Sequence, residues 1–232
     1  MQPVNYYENN IVSTLNLLKM MKKYEVKKLI FSSSATVYGN APVPMTEQST
    51  IGNGITNPYG MTKYMIELIL KDFCKSDPSF KIMSLRYFNP VGAHPSGLIG
   101  ENPNNIPNNL MPFLLKVAYQ NNLGNFLGEA FKEVKIFGND YDTRDGTGLR
   151  DYIHVVDLAK AHVKAYEKLG EGYDYVNLGT GEGTTVLEMI EMFEKVNNVK
   201  IPYTIVERRD GDLAKVYCNP EKAKELLGWV VE

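Results

Sequence analysis

Long apolar runs are missing from these 232 residues. None approaches the ~20 residues that cross a bilayer, and no charged, apolar, small-residue succession marks a leader, so neither a membrane nor a secreted setting is expected. Cysteine is scarce. Cys74 and Cys218 fit no disulfide or metal framework. His94, His154 and His162 are scattered without metal-ligand spacing, so no metal is expected. Charge of one sign is absent too: 25 Lys and Arg stand against 27 Asp and Glu, a net charge of -2. That balance argues against nucleic acid as the main partner, because neutralising phosphates needs a basic surface. There are no internal repeats and no low-complexity segment. What is present, 44% hydrophobic and 22% charged residues, describes a globular chain long enough for one or two cores. A cytoplasmic setting with reduced thiols is expected.

Helical and strand patterns alternate. Ile11, Leu15, Leu18 and Met21 recur at helical spacing and predict a helix from about Asn5 to Tyr24. Lys28 to Ser32 is a short apolar run, expected as a buried strand. Pro58 opens a second helix running to about Lys75, and Ile82 to Phe88 is the next strand. Buried strands alternating with helices predict an open parallel α/β sheet. From Asn89 to Pro107 the chain is rich in Pro, Gly and Asn and is expected as a loop. Helices follow at Leu110–Tyr119, Asp157–Leu169 (with Asp157 as N-cap), Val186–Val196 and Pro220–Leu227. Strands are predicted at Val134–Phe137, Tyr175–Leu178 and Tyr203–Val206. This second part is smaller and looped, as a substrate-binding cap would be.

The strongest chemical signal is Ser34 with Tyr59 and Lys63. Four residues apart on a helix, Tyr59 and Lys63 share a face. A phenol, whose ordinary pKa is about 10, is a poor base at neutral pH, and a nearby ammonium is expected to lower that value towards a usable general base. Taken alone, Tyr-x-x-x-Lys also fits chance placement on a helix surface. Asn10 likewise fits a solvent-facing helix polar residue, and Arg150 and Arg209 fit ordinary surface ion pairs. Gly179–Gly183 lies between a strand and a helix but lacks both phosphate-loop spacings, so it is expected as a turn. Asp140, Asp142 and Asp145 could suggest calcium.

The flanking motifs are longer: SSSATVYG (Ser32 to Gly39), NPYGMTK (Asn57 to Lys63) and RYFNPVGAHPSG (Arg86 to Gly97). Downstream come NNLMP (Asn108 to Pro112), the run from Ile136 to His162, YVNLGTGEG (Tyr175 to Gly183), RRDGD (Arg208 to Asp212) and LGW (Leu227 to Trp229). In these the chain resembles the extended short-chain dehydrogenase/reductase superfamily, and within it the UDP-glucose 4-epimerases. The resemblance covers essentially the whole length. It implies a partial doubly wound (Rossmann-type) parallel sheet with a smaller α/β substrate domain. Residues 1–89 plus 149–180 would be an incomplete NAD-binding domain, and 90–148 plus 181–232 the sugar-nucleotide domain.

By that resemblance, Tyr59 takes the proton of the sugar's 4-hydroxyl while Ser34 hydrogen-bonds to both. NAD accepts the hydrogen from C4, and the 4-keto sugar rotates before the hydrogen returns. Lys63 would hold the nicotinamide ribose and supply positive charge. Asn10, Ser32, Tyr59, Lys63 and Tyr87 would contact NAD, although the family's glycine three positions after Asn10 is Ser13 here. Ser34, Ala35, Thr36, Phe88, Asn89, Asn108, Asn109, Leu110, Phe137, Arg150, Arg209, Asp212 and Val216 would contact a UDP-hexose. The guanidinium forks suit the diphosphate, Arg208 is expected to point elsewhere, and the Asp140–Asp145 stretch becomes a substrate-domain loop. A homodimer is implied through the two long early helices.

Departures matter as well. The family's Gly-rich dinucleotide turn is absent, so about 90 residues are expected to be missing before Met1 at ~30 residues per βαβ unit. A helix after Trp229 is expected to be missing also. The chain as given is then expected neither to hold NAD nor to turn over, and its open sheet edge invites aggregation. The stretch from Tyr119 to Lys135 is longer than in most of the family, beside the uracil contacts expected near Ile136 and Phe137. The modest side chain of Val216 at the far wall of the sugar pocket predicts tolerance of an N-acetyl sugar. A 4,6-dehydratase would need an Asp-Glu pair where Ala35 and Thr36 stand. A catalytically silent sugar-nucleotide-binding or dimerisation module is the other alternative.

Overall fold

The computed structural model describes residues 2–123 and 128–232. The first helix comes in three pieces: α1 (Pro3–Tyr7), a π-helical turn (Glu8–Val12) and α2 (Ser13–Lys23). The expected single helix is interrupted where side-chain hydroxyls compete for backbone carbonyls. Ser13 Oγ hydrogen-bonds to the carbonyl of Asn9, and Thr14 Oγ1 to that of Asn10 at 2.7 Å. Such π turns concentrate at functional sites.

Strand β1 (Lys28–Ser34) runs two residues beyond the expected end and passes into a 3-10 turn, Ala35–Tyr38. Helix α3 (Pro58–Ser76) starts as expected: Pro58 is its first residue, and Asn57 Oδ1 accepts from Gly60 N at 2.8 Å. Strands β2 (Lys81–Tyr87) and β7 (Gly172–Leu178) complete a three-stranded sheet in the order β1-β2-β7, parallel throughout. Strand β2 is buried on both faces, which is why its sequence is nearly continuous in apolar residues. Met83 and Leu85 join one core with Leu158 and Ala161 of α5 (Val155–Glu167) and Leu227 of α7 (Glu221–Leu227). Ile82 joins another, with Leu18 and Met21 of α2 and Ile66 and Leu70 of α3. Helices therefore cover both faces of a parallel sheet, as a Rossmann-type layer requires.

The other elements are smaller. Helix α4 (Leu110–Leu123), strand β4 (Val134–Phe137) and helix α6 (Val186–Asn197) enclose a third core around Leu114, Ile136 and Ile190, and strand β9 (Tyr203–Val206) pairs with β4. Within the stretch from Tyr119 to Lys135, residues 124–127 lie outside those described. Helix α6 is closed by a Thr185/Glu188 capping box. Helix α5 begins at Val155, not Asp157, because His154 Nδ1 caps it by accepting from Val156 N at 3.2 Å.

Short pairings knit the halves together and have no counterpart in the sequence expectations. Strand β3 (Asn89–Val91), inside the expected loop, pairs with β6 (Tyr152–His154), and β5 (Leu149–Arg150) lies between β10 (Lys215–Val216) and β8 (Thr184–Thr185). At two or three residues each, they are too short to show a period-2 pattern. No described helix is long and apolar enough to cross a membrane.

Candidate active site

Ligands of open parallel sheets gather outside the carboxyl ends of the strands. Here β1 ends at Ser34 and β2 at Tyr87, and both border a cleft of about 1510 Å³. Tyr59 reaches the same cleft from the first turn of α3. Ser34 is the neighbour that pulls its phenol pKa down, so the end of β1 and the start of α3 bring the expected acid–base groups to one cleft.

Lys63, one turn on, lies on the Tyr59 side of the helix, with Nζ 5.5 Å from the phenol ring centroid. Its nearest fixed partner is the carbonyl of Ser32, to which Nζ donates at 2.8 Å. Burial lowers the Lys63 pKa. Burial also pushes Tyr59 above its ordinary 10, against the Ser34 hydrogen bond, which pulls down, while Tyr6 adds to the rise. The shift runs opposite to the one expected from the Tyr-x-x-x-Lys spacing. An ammonium turned towards a backbone carbonyl does not outweigh the loss of solvent around the phenol.

The other residues assigned to the cofactor cluster behind this pair. Asn10 does not face solvent: its Nδ2 donates to Thr62 Oγ1 at 2.8 Å, and Thr62 donates to the Tyr59 carbonyl at 2.7 Å. The π turn thus braces the backbone of α3. Tyr87 Oη lies 2.9 Å from Ser32 Oγ and hydrogen-bonds to His162 Nε2, whose Nδ1 is 2.8 Å from the Leu158 carbonyl. A carbonyl only accepts, so Nδ1 carries a proton. Asn10, Ser32 and Lys63 stand apart from the cleft wall; Tyr59 and Tyr87 belong to it.

All the residues assigned to the UDP-hexose line that one cleft: Ser34, Ala35, Thr36, Phe88, Asn89, Asn108, Asn109, Leu110, Phe137, Arg150, Arg209, Asp212 and Val216. Arg150 is largely buried, which lowers its pKa, with Asp212 opposing; its Nη2 is 4.0 Å from Asp212 Oδ1. Arg209 Nε donates to Asp212 Oδ2 at 2.9 Å, and its guanidinium lies 4.6 Å over the Phe137 ring. Arg208 turns the other way, onto Asp140 at 2.6 Å and the Tyr141 ring at 4.1 Å. The turn between the arginines and Asp212 needs Gly211 at φ +81, where a Cβ would come 2.9 Å from Thr56. Val216 borders the pocket beside Phe88 and Cys218.

The remaining candidates are held elsewhere. In the Gly179–Gly183 loop, Thr180 N and Gly181 N donate to buried Asp151 at 2.7 and 3.0 Å, so its anion-facing donors are occupied internally. Asp140 pairs with Arg208, Asp142 with Lys215 at 2.9 Å, and Asp145 binds Thr147 and Thr185. Among the described residues no His, Cys, Asp and Glu cluster could hold a metal. Sequence reasoning passed over Tyr152 and Tyr141, which also line the cleft. Tyr152 carried a usable signal, two residues after Arg150 in extended chain and so on the same face. Tyr141 carried none, since it sits in an irregular turn, closed by its own N donating to the Gly146 carbonyl at 2.9 Å, where no periodicity marks a buried face.

Residues 1–179 match the model of the NAD dependent epimerase/dehydratase family. The chain is 53% identical over 234 residues to a UDP-glucose 4-epimerase of Haemophilus influenzae, covering 100% of this chain and 66% of that protein. It is 52% identical to the human UDP-glucose 4-epimerase, covering 98% of this chain and 64% of the relative. The crystal structure of a Bifidobacterium longum UDP-glucose 4-epimerase in complex with NAD+ and UDP superposes with a TM-score of 0.91 at 54% identity. That superposition covers 100% of this chain and 67% of the other. The chain therefore spans a little under two thirds of the length of these curated relatives.

Proposed function

This chain belongs to the NAD dependent epimerase/dehydratase family, and from that premise we propose that it carries the acid–base and sugar-nucleotide apparatus of a UDP-glucose 4-epimerase. One observation carries the reading: Ser34 and Tyr59 open onto the same cleft as Arg150 and Arg209. A proton-transfer pair thus faces a site built for a diphosphate.

The residues present fit the nicotinamide riboside end of NAD. Lys63 spends one of three donors on Ser32 and keeps two for ribose hydroxyls, and Tyr59 stands beside it at the cleft edge. When bound, NAD supplies the two-electron acceptor that takes a hydrogen from the sugar's C4 and gives it back. Tyr59 then takes the 4-hydroxyl proton as the carbonyl forms and returns it as the carbonyl is reduced. Ser34 shares that proton and orients the oxygen. Arg150 and Arg209 bind the diphosphate, Asp212 accepts from ribose hydroxyls and Phe137 offers an apolar face to the base. The sugar is the part left free to turn between the two hydrogen transfers.

Residues 1–89 with 149–180 form the cofactor half in this reading, and 90–148 with 181–232 the sugar-nucleotide half. Exposed Leu15 and Met20 on α2, with Met65 and Leu68 on α3, support a homodimer through these helices. Two buried free thiols suit a cytoplasmic setting. A second reading is a silent sugar-nucleotide-binding or dimerisation module, which the exposed apolar residues of α2 and α3 would also suit. Calorimetry with UDP and UDP-glucose tests the nucleotide site, and NADH absorbance after adding NAD and UDP-galactose separates enzyme from module. Failure to bind either uridine nucleotide would sink the proposal.

A further inference from the structure

Two phenols at the strand ends, Tyr59 and Tyr87, border the cleft. Burial raises the Tyr87 pKa, its hydrogen bond with Ser32 pulls down, and the neighbouring Tyr59 adds to the rise, so the two side chains lie within electrostatic reach of each other. Their hydroxyls are placed differently. Tyr87 Oη lies 2.9 Å from Ser32 Oγ and hydrogen-bonds to His162 Nε2, and neither partner belongs to the cleft wall. A phenol oxygen carries one hydrogen, so a partner on each side leaves it little capacity to bond into the cleft. The His162 ring is itself fixed. Its Nδ1 is 2.8 Å from the Leu158 carbonyl one turn back along α5, and its plane is tilted 52° to the Tyr87 ring with centroids 5.3 Å apart. Tyr87 packs on the same core as Leu158 and Ala161 of that helix.

Ser32 alone is a weaker tether, because it is exposed and water competes for its hydroxyl. A half-buried phenol without the imidazole loses a hydrogen bond worth about 1 kcal/mol, and turning towards the polar groups of the cleft recovers one. There it would stand as a second hydroxyl beside Tyr59 and fill volume that a sugar needs. We propose that His162 is a positioning residue: it holds the Tyr87 hydroxyl outside the cleft, leaving the Tyr87 ring as a wall for the sugar and Tyr59 as the phenol that meets it. This deepens the functional reading above, on which the sugar rests.

The test is calorimetry with UDP and UDP-glucose on the chain, His162→Phe, His162→Gln, Tyr87→Phe and the His162→Phe/Tyr87→Phe double variant, each checked for fold by circular dichroism. His162→Phe should bind UDP-glucose about tenfold more weakly and UDP within about twofold of the parent. His162→Gln, whose amide can reach the Tyr87 hydroxyl, should bring UDP-glucose back to within about threefold. In the Tyr87→Phe background His162→Phe should cost less than about twofold, because no hydroxyl remains to be held. A ligand-free arm uses long-range proton–nitrogen spectra of the 15N-labelled chain: the imidazole signals missing from His162→Phe identify the ring, and its Nε2 resonance should shift in Tyr87→Phe. Equal weakening of both ligands, no rescue by Gln, or the same cost with and without the Tyr87 hydroxyl overturns the proposal, as does loss of fold in both His162 variants. A parent chain that binds neither ligand would instead refute the nucleotide-sugar reading. The Nε2 resonance then judges His162, and an unmoved signal overturns its hold on Tyr87.

Discussion

Removing the Glu67 carboxylate should destabilise the chain more than removing its whole ion pair. Glu67 and Arg86 are 2% and 1% exposed, beneath the strand ends that carry Ser34 and Tyr87. Glu67 Oε1 accepts from Arg86 Nε at 3.0 Å and from Ser33 Oγ at 2.5 Å, and Oε2 accepts from Arg86 Nη2 at 2.6 Å. Arg86 Nη1 donates to Tyr38 Oη at 2.9 Å, and Tyr38 donates to Asn177 Oδ1 at 2.7 Å. Burial alone would lower the Arg86 pKa, but Glu67 more than offsets it and the guanidinium is held above its ordinary value. Glu67→Ala leaves that charge buried without a counter-ion, which costs about 3–5 kcal/mol. It also strips Ser33 of its acceptor, about another 1 kcal/mol. In Glu67→Leu/Arg86→Met no uncompensated charge remains, so the loss should stay near 1–2 kcal/mol, about what apolar replacement of a buried pair leaves after the orphaned Ser33 hydroxyl. Urea unfolding followed by circular dichroism measures both. If Glu67→Ala loses less than about 1 kcal/mol, or no more than the double variant, the pair is not the buried electrostatic unit described.

Other expectations follow from the site and the core. Val216→Tyr should weaken UDP-N-acetylglucosamine binding by about tenfold or more while changing UDP-glucose by less than about threefold, since added bulk discriminates by volume; equal effects on both sugars in calorimetry refute the role of Val216. Burial raises Tyr38 to about 12. The unfolded chain then loses that proton near pH 10 while the folded chain keeps it. Stability should be intact below pH 10 and fall by about 2.7 kcal/mol as pH rises through 12; urea midpoints that fall equally in Tyr38→Phe would exclude it. Tyr59 should titrate above pH 10, so the 295 nm alkaline difference spectrum between the chain and Tyr59→Phe should show its transition there, and one below 10 contradicts the burial argument. Asn10→Ala should leave UDP affinity within about twofold and lower the melting temperature by roughly 2–4 °C, the shift of a lost hydrogen bond worth about 1 kcal/mol; a large fall in UDP affinity would place Asn10 at the nucleotide.

The long elements were legible because one periodicity governs each. The α3 start was written in Asn57-Pro58, and β2 in its unbroken apolar run between two helical layers. The cleft residues were legible through motifs, which the chain carries from Ser32 to Trp229. Three things were hidden. The π turn depends on Ser13, Thr14 and a partner 52 residues away in Thr62. The short strands β3, β5, β6, β8 and β10 exist only as partners of one another. The direction of the Tyr59 shift depends on burial, which spacing does not encode.

That last point decides where the base strength of Tyr59 arises. The helix macrodipole favours the phenolate, because Tyr59 sits in the first turn of α3, but such an effect is about 0.3–1 kcal/mol. Lys63 is near, yet one of its donors is held by the Ser32 carbonyl, and burial lowers its own affinity for a proton. Neither offsets desolvation of the phenol. Tyr59 must therefore shed its own proton before it can take that of the 4-hydroxyl, and once protonated it holds the proton that the carbonyl oxygen receives in the second half of the cycle. Additional positive charge is needed only while the sugar oxygen is being deprotonated. Bound NAD would supply it, since its oxidised nicotinamide ring carries positive charge. In the proposed reading Lys63 would then chiefly hold that ring's ribose beside Tyr59.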